Sequence, residues 1–218
     1  MFAFSDLRLA TYCPRKLYYA RQDDRSVPDE VKDVRDLAFQ YDDLLGADDA
    51  TLHSRPIELP PAEYRDALRR TRETCPRFDD LTSPADRDVL LTGKECRGIV
   101  HKILGGPPEP SLVSAGGPPE NGVWEQHTVW AVAAAKALAW ERQTAVERAF
   151  VEYPAYGVVR EVPITGRRKA AFRRAVRAVA AIDGPPARLT NRSKCEACDY
   201  ASECGVKTRT LRSLLGFS

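Results

Sequence analysis

Residues 194–204 read Lys-Cys-Glu-Ala-Cys-Asp-Tyr-Ala-Ser-Glu-Cys and place three cysteines within ten positions. Two residues separate Cys195 from Cys198, and five more separate Cys198 from Cys204. Thiolates at this spacing can bind one metal centre, and both zinc and iron–sulfur clusters take four such ligands. No histidine lies near them in the sequence, so the fourth ligand must come from a distant part of the chain. The candidates are Cys13, Cys75 and Cys96.

Other roles for these cysteines have different sequence requirements. A redox pair is disfavoured because Cys204 adds a third thiol and no thioredoxin-like strand precedes the motif. The spacing alone leaves zinc and an iron–sulfur cluster as open alternatives. Cys75 and Cys96 are most simply interpreted as ordinary buried or surface thiols.

The composition predicts one folded domain in the cytoplasm. The chain has 218 residues, of which 43% are hydrophobic and 29% charged. No apolar run approaches the roughly 18–20 residues that a membrane span needs, and the N-terminal residues lack the layout of a secretory signal. We therefore expect no membrane association. In a reducing compartment, clustered cysteines favour a metal over disulfides.

The order of predicted elements indicates a mixed α/β domain. Apolar residues at helical spacing predict helices over 4–21, 31–45, 60–74, 126–141 and 167–182, the first broken at Cys13-Pro14. Ser5 and Thr165 are predicted N-caps. Glycine and proline predict loops at 105–110 and 116–122. Strands are expected at 89–91, 98–104 and 111–113, and a hairpin over 145–164 that turns near Tyr156-Gly157.

Residues 12–19, Tyr-Cys-Pro-Arg-Lys-Leu-Tyr-Tyr, together with residues 194–204, carry a family resemblance. With both segments, the chain resembles the CRISPR-associated exonucleases of the RecB type, members of the PD-(D/E)XK nuclease superfamily. In that family one cysteine before a Pro-Arg pair joins three C-terminal cysteines around a [4Fe–4S] cluster. The resemblance implies that this cluster is held by Cys13, Cys195, Cys198 and Cys204.

The same resemblance implies the fold. It is the restriction-endonuclease-like α/β architecture, a mixed sheet flanked by helices whose N- and C-terminal parts are joined by the cluster. We expect a single domain over residues 1–218. Its cluster-binding parts would be 1–25 and 184–218, around a central sheet core at 85–182.

The catalytic residues that the resemblance implies are missing. Such nucleases place a metal-binding acid on one strand and an acid-x-Lys on the next, where Mg²⁺ or Mn²⁺ activates water. Here His101 stands at the position of the first acid, and residues 111–116 offer neither acid nor lysine. Ala131 and Ala135 replace the family's Gln and Tyr, and Gln40-Tyr41 lies where a histidine is expected. Canonical metal-dependent cleavage is therefore predicted to be lost, and Mg²⁺ or Mn²⁺ is needed only if the nuclease site works.

Nuclease activity would still be possible if other residues supplied the metal ligands. Acids in or beside loops could supply new ligands: Glu95, Glu109, Glu120 and Glu125. His101 itself is more simply a hydrogen-bonded strand residue than a metal ligand. The chain could still be an active metal-dependent single-stranded DNA exonuclease in CRISPR spacer acquisition or DNA repair.

Arginine-rich helices indicate a nucleic-acid partner. The net charge is only +2, yet 25 of the 33 basic residues are arginine, whose planar fork of donors suits phosphate. One predicted helix carries a basic row that could follow the phosphates of DNA, single-stranded or with single-stranded ends: Arg167, Arg168, Lys169, Arg173, Arg174 and Arg177. A second basic stretch contains Arg65, Arg69, Arg70 and Arg72. The alternatives are a solvated helix face and a scaffold for proteins of CRISPR adaptation.

Overall fold

The structure is a computed structural model that describes residues 1–23 and 26–205. The helices are α1 Phe4–Tyr12, α2 Pro14–Ala20, α3 Asp29–Asp36, α4 Tyr41–Gly46, α5 Asp49–His53, α6 Pro61–Thr74, α7 Phe78–Thr82, α8 Glu125–Arg142, α9 Gly166–Ala180 and α10 Arg192–Glu196. The strands are β1 Phe2–Ala3, β2 Asp86–Thr92, β3 Cys96–Leu104, β4 Glu109–Val113, β5 Arg148–Tyr153 and β6 Val158–Pro163. Short 3₁₀ helices cover Leu37–Phe39 and Pro154–Tyr156.

The strands form one mixed sheet in the order β1-β3-β4-β5-β6, with β2 also paired to β3. The β1–β3 and β4–β5 pairs are parallel, and the other three pairs are antiparallel. Residues alternate between the two faces along each strand. The predicted mixed α/β class with flanking helices is confirmed.

Helices cover both faces of the sheet. One hydrophobic core joins α1, α8 and α9 to the sheet, and a second core gathers residues of α4, α5, α6 and α7 on the other face. The alanines of α8 are buried and let that helix lie close to the strands. A side-chain carbon at Gly98 would collide with the ring of Phe4. Glycine at this position therefore allows the start of α1 to pack on β3.

Most predicted elements are present with shifted bounds. The helix break at Cys13-Pro14 and the buried strand at 111–113 are confirmed, and so is the hairpin, in which Gly157 has φ +62°. Thr165 caps α9 as predicted, accepting a hydrogen bond from the Arg168 N–H at 3.4 Å.

Three local predictions are wrong. Ser5 is not an N-cap, because α1 already begins at Phe4 and its cap position is Ala3. The helix expected over 31–45 is divided into α3, a 3₁₀ helix and α4, because the backbone of Gln40 leaves the helical region at φ −128° and ψ 17°. Pro110 belongs to β4 and not to a loop.

Two further expectations can be compared with the structure over only part of the chain. Parts of the expected cluster-binding segments, residues 24–25 and 206–218, lie outside them. Over the ranges 1–23 and 26–205, no helix combines the length and the apolar composition that crossing a membrane requires.

Candidate functional site

All four cysteines of the predicted cluster line one cavity, which we call the cysteine cavity. It lies between α2 and the segment 188–204. Cys13 and Cys204 are 191 positions apart in the chain, so only the fold brings them together. Cys75 and Cys96 do not line it.

The backbone around each cysteine sets its position. Cys13 is extended, with φ −162° and ψ 116°, and lies between the end of α1 and Pro14 at the start of α2. Its N–H donates to the Leu9 carbonyl at 2.8 Å. On the other side of the cavity, Asn191 caps α10 by accepting from the Lys194 N–H, which places Cys195 in that single turn of helix.

The two walls of the cavity are joined by polar contacts. The Tyr12 hydroxyl donates to the Lys194 carbonyl at 3.1 Å, and the Lys16 ammonium lies 3.0 Å from the Asp199 carboxylate. The rings of Tyr19 and Tyr200 stack with centroids 5.7 Å apart. Two further hydrogen bonds run from the Arg15 guanidinium to the Pro186 carbonyl (2.9 Å) and from the Tyr19 hydroxyl to the Glu203 carbonyl (3.2 Å).

The charges around the cavity suit anionic sulfur ligands. Burial raises the pKa of Tyr12, and the nearby Cys198, Cys13 and Cys195 thiols raise it further. A hydrogen bond to Tyr19 and the charge of Cys204 raise the pKa of Arg15. Lys16 and Lys194 add two more cations, each about 5 Å from the Tyr12 ring. Thiolates are the form that binds metal, and neighbouring cations stabilise them.

The cavity offers four cysteine thiols as ligands. As thiolates they fit a [4Fe–4S] cluster, and the same four ligands also suit a structural zinc ion.

The remaining cysteines have other surroundings. Cys96 is buried in β3, where its thiol lies 3.6 Å from the Ala133 carbonyl and burial raises its pKa to about 12. Burial also raises the pKa of Cys75. Both thiols are therefore protonated at neutral pH and behave as packing residues.

His101 is a hydrogen-bonded strand residue. It is buried on β3, and its Nδ1 accepts a hydrogen bond from the Val113 N–H at 3.0 Å. Burial, together with the charges of Arg35, Arg8 and Lys102, lowers its pKa to about 3. Among the described residues no carboxylates join His101 in a metal-binding group, and the nearby cations disfavour Mg²⁺, which prefers oxygen ligands.

The acids considered as substitute ligands are engaged elsewhere. Glu109 on β4 accepts from Arg77 at 2.6 Å and from Arg148 at 2.5 Å. Glu95 pairs with Lys136 at 3.0 Å and Glu125 with Arg174 at 3.7 Å, while Glu120 is exposed. In the part of the chain that the structure describes, none of the four joins His101 in a metal-binding group.

A buried ion pair links three strands, and the sequence alone does not predict it. Lys102 on β3 and Glu152 on β5 are completely buried, with Nζ 2.8 Å from Oε2. Ser111 on β4 donates to the other oxygen of Glu152 at 2.6 Å. The Lys102 ammonium also donates to the carbonyls of Ala38 and Leu81. These partners use all three ammonium protons, so the pair is structural.

The predicted basic row lies on α9. Five of its six side chains are exposed, and Arg168 is half-buried, donating to the Pro163 carbonyl at 2.7 Å. Three residues of the row, Arg167, Arg168 and Arg174, line a groove between α9 and the start of α8. On α6, by contrast, Arg65 is held by Asp49 at 2.6 Å and Arg69 by Asp66 at 3.4 Å.

Comparisons with known proteins identify no family. No protein-family model matches the chain, and no curated protein matches it. Among solved structures, the fold is similar to the crystal structure of SSO0001, with 13% sequence identity and a TM-score of 0.45. The match covers 95% of this chain and 87% of that one.

Proposed function

We propose that this protein is an iron–sulfur protein with a nuclease-like fold of the CRISPR-associated RecB type. In this proposal it binds DNA and lacks metal-dependent nuclease activity. The observation that carries the proposal is the convergence of Cys13, Cys195, Cys198 and Cys204 on one cavity. These four residues would hold the [4Fe–4S] cluster, and Arg15, Lys16 and Lys194 would offset its negative charge.

The bound cluster would act as a structural crosslink between distant parts of the chain. Its iron–thiolate bonds would connect α2 to the segment 188–204. A crosslink between such distant residues lowers the entropy of the unfolded chain, by several kcal/mol in the loop-closure model. The tyrosine and arginine contacts between the same two segments would bring the thiolates together before the cluster binds.

The loss of nuclease activity is supported by the residues around His101. A two-metal or one-metal phosphodiester reaction needs carboxylate oxygens around the ion. The corresponding strand positions hold a histidine, serine, leucine and valine, and the charges that act on His101 are the cations Arg35, Arg8 and Lys102. DNA binding is supported by the exposed basic row of α9, because arginines can contact phosphates without any metal.

An assay of DNA binding and cleavage on an anaerobic preparation tests this function. We expect labelled single-stranded DNA to be bound in low salt and to remain uncut with Mg²⁺ or Mn²⁺. Cleavage that depends on the metal, and that a single substitution near His101 abolishes, would establish the active exonuclease instead. If the protein binds no DNA even in low salt, the remaining function is that of a scaffold for protein partners.

A further inference from the structure

Three basic side chains, from α1, β3 and α8, converge on the ring of Trp130, and the charge of a fourth, from α3, acts on two of them. Arg8 comes from α1, Arg35 from α3, His101 from β3 and His127 from α8, and we call their site the arginine–histidine pocket. The Arg8 guanidinium lies 4.9 Å above the ring of Trp130. That same ring contacts both imidazoles edge-on, with centroid distances of 5.8 Å to His101 and 6.1 Å to His127.

The two arginines are not neutralised. Within residues 1–23 and 26–205, neither Arg8 nor Arg35 forms an ion pair with a carboxylate. The Nε of Arg35 is enclosed and has no hydrogen-bond partner. Burial and then the neighbouring charge of Arg35 lower the pKa of Arg8. Both side chains are half-buried, and a partly desolvated cation is stabilised when a ligand supplies its counter-charge.

The histidines add neutral donors to this positive site. Because Nδ1 of His101 accepts from the Val113 N–H, the neutral ring carries its proton on Nε2 and can donate from there. His127 shares a 2.9 Å hydrogen bond between Nδ1 and the Tyr153 hydroxyl. The Ser114 oxygen accepts from the Gly116 N–H at 3.3 Å, which leaves its hydroxyl proton available.

One side of the pocket, formed by Arg8 and His127, borders an open groove that His101 and Arg35 do not line. Arg8, Ser114 and His127 line this groove together with Gly116, Trp124 and Gln126. The groove beside α9 is lined by Glu125 and Thr128 of the same helix turn, so the two grooves lie on either side of the start of α8. A chain of phosphates could therefore pass from the basic row of α9 to the pocket.

We infer that the arginine–histidine pocket binds a phosphate group directly, without a metal ion. Guanidinium groups form paired hydrogen bonds with phosphate oxygens, and the two arginines would share its negative charge. The same charges repel Mg²⁺. This inference does not depend on the iron–sulfur cluster or on the basic row, and it can fail while the proposed function stands.

Inorganic phosphate is the first probe, with EDTA present throughout. We expect phosphate to raise the melting temperature of the intact protein more than chloride does at equal ionic strength, because a ligand stabilises the folded state that binds it. Arg35→Gln should weaken phosphate binding by about tenfold or more, as expected for lost hydrogen bonds to a charged group. The matched control is Arg142→Gln, at the other end of α8 and about 24 Å along the helix from Gln126, which should bind phosphate normally.

A second measurement covers the case in which Arg35→Gln fails to fold. In the unsubstituted protein, phosphate should shift the NMR signals of the His101 ring, identified by their absence in His101→Asn. Equal effects of phosphate and chloride on the melting temperature, or unmoved His101 signals, would overturn the inference. Intact phosphate binding in folded Arg35→Gln would also overturn it.

Oligonucleotides then identify the source of the phosphate. Stronger competition by a 5′-phosphorylated single strand than by the unphosphorylated strand would assign the pocket to a terminal phosphate. Equal competition would assign it to an internal phosphodiester, and an absence of competition to free phosphate. DNA binding that persists while inorganic phosphate has no effect would overturn this inference and leave the proposed function intact.

Discussion

At the residue scale, two buried histidines on one face of the sheet remain neutral. Burial lowers the pKa of His101 to about 3 and that of His127 to about 4, from an ordinary value of 6.5. In the unfolded chain both rings take up a proton as the pH falls below 6.5, while in the folded protein they do not. Protons therefore favour the unfolded state in this range.

We predict that the free energy of unfolding falls as the pH is lowered from about 6.5 toward 4, by up to about 1.4 kcal/mol per pH unit for each histidine. Urea unfolding at a series of pH values measures this. His101→Asn keeps an acceptor for the Val113 N–H and should flatten the dependence. The control His53→Asn changes an exposed histidine on α5 and should leave the slope as it was. If His101→Asn leaves the slope of the free energy of unfolding against pH unaltered, His101 is not a source of the pH dependence.

The Lys102–Glu152 pair leads to a second prediction at this scale. Lys102→Met leaves the Glu152 carboxylate buried without its cation, and we expect a loss of about 3 kcal/mol or more in the free energy of unfolding. The matched control is Lys136→Met, which breaks the half-exposed pair with Glu95 at 3.0 Å and should cost at most about 1 kcal/mol.

Adding Glu152→Gln to Lys102→Met removes the uncompensated charge and should recover part of the lost stability. Denaturant unfolding of the four proteins compares these values directly. Equal losses for Lys102→Met and Lys136→Met would show that the buried network contributes no more than a surface pair.

At the element scale, the two faces of α9 have different roles. Phe172, Ala175 and Val179 are buried in the core, while Arg173, Arg174 and Arg177 are exposed. Residues three and four apart lie on one side of a helix, so Arg173 and Arg177 face the same way. Substitutions on the exposed side should therefore change binding and not folding.

We predict that the triple change Arg173→Ala, Arg174→Ala and Arg177→Ala weakens binding of single-stranded DNA. Each lost phosphate contact lowers the slope of log affinity against log salt by about 0.7, so the slope should fall by about 2. Fluorescence anisotropy over a range of salt concentrations measures both quantities.

The comparison variant carries Arg69→Ala, Arg70→Ala and Arg72→Ala on α6. It removes the same charge from the opposite face of the sheet. We expect a smaller loss of DNA affinity, and the slope of log affinity against log salt should stay nearly the same. Equal losses for the two variants would mean that DNA contacts both faces or follows only net charge.

The elements themselves were largely predictable from local sequence. The alanine run of α8 and the alternation of β5 and β6 are strong periodic signals, and both elements lie where expected. The two-residue strand β1 and the short helices α5 and α7 were not predicted. They are too short for a periodic signal, and β1 exists because Phe2 and Ala3 pair with Cys96 and Arg97 of β3.

At the scale of the whole molecule, contacts join the two ends of the described chain. Tyr12, Arg15 and Tyr19 each hydrogen-bond to a residue between 186 and 203. The spacing of Cys195, Cys198 and Cys204 is itself a signal, whereas Cys13 follows only from the family resemblance. The sequence could not identify the arginine–histidine pocket, because Arg8, Arg35 and His127 are isolated in sequence and converge only through the packing of α1, α3 and α8.

We predict that Cys13→Ser lowers both the metal content and the melting temperature, because it removes the only cavity thiolate from the N-terminal side. Cys75→Ser is the control, since its thiol lies outside the cavity, and it should keep the full metal content. Metal analysis together with thermal unfolding of both variants measures the effect. Full metal content in Cys13→Ser would exclude Cys13 as a ligand.

We propose that Cys13, Cys195, Cys198 and Cys204 hold a [4Fe–4S] cluster. Iron, sulfide and zinc analysis of protein purified without oxygen tests this directly. We predict a brown protein with about four iron and four sulfide per chain. A colourless protein with one zinc per chain and no sulfide would contradict it.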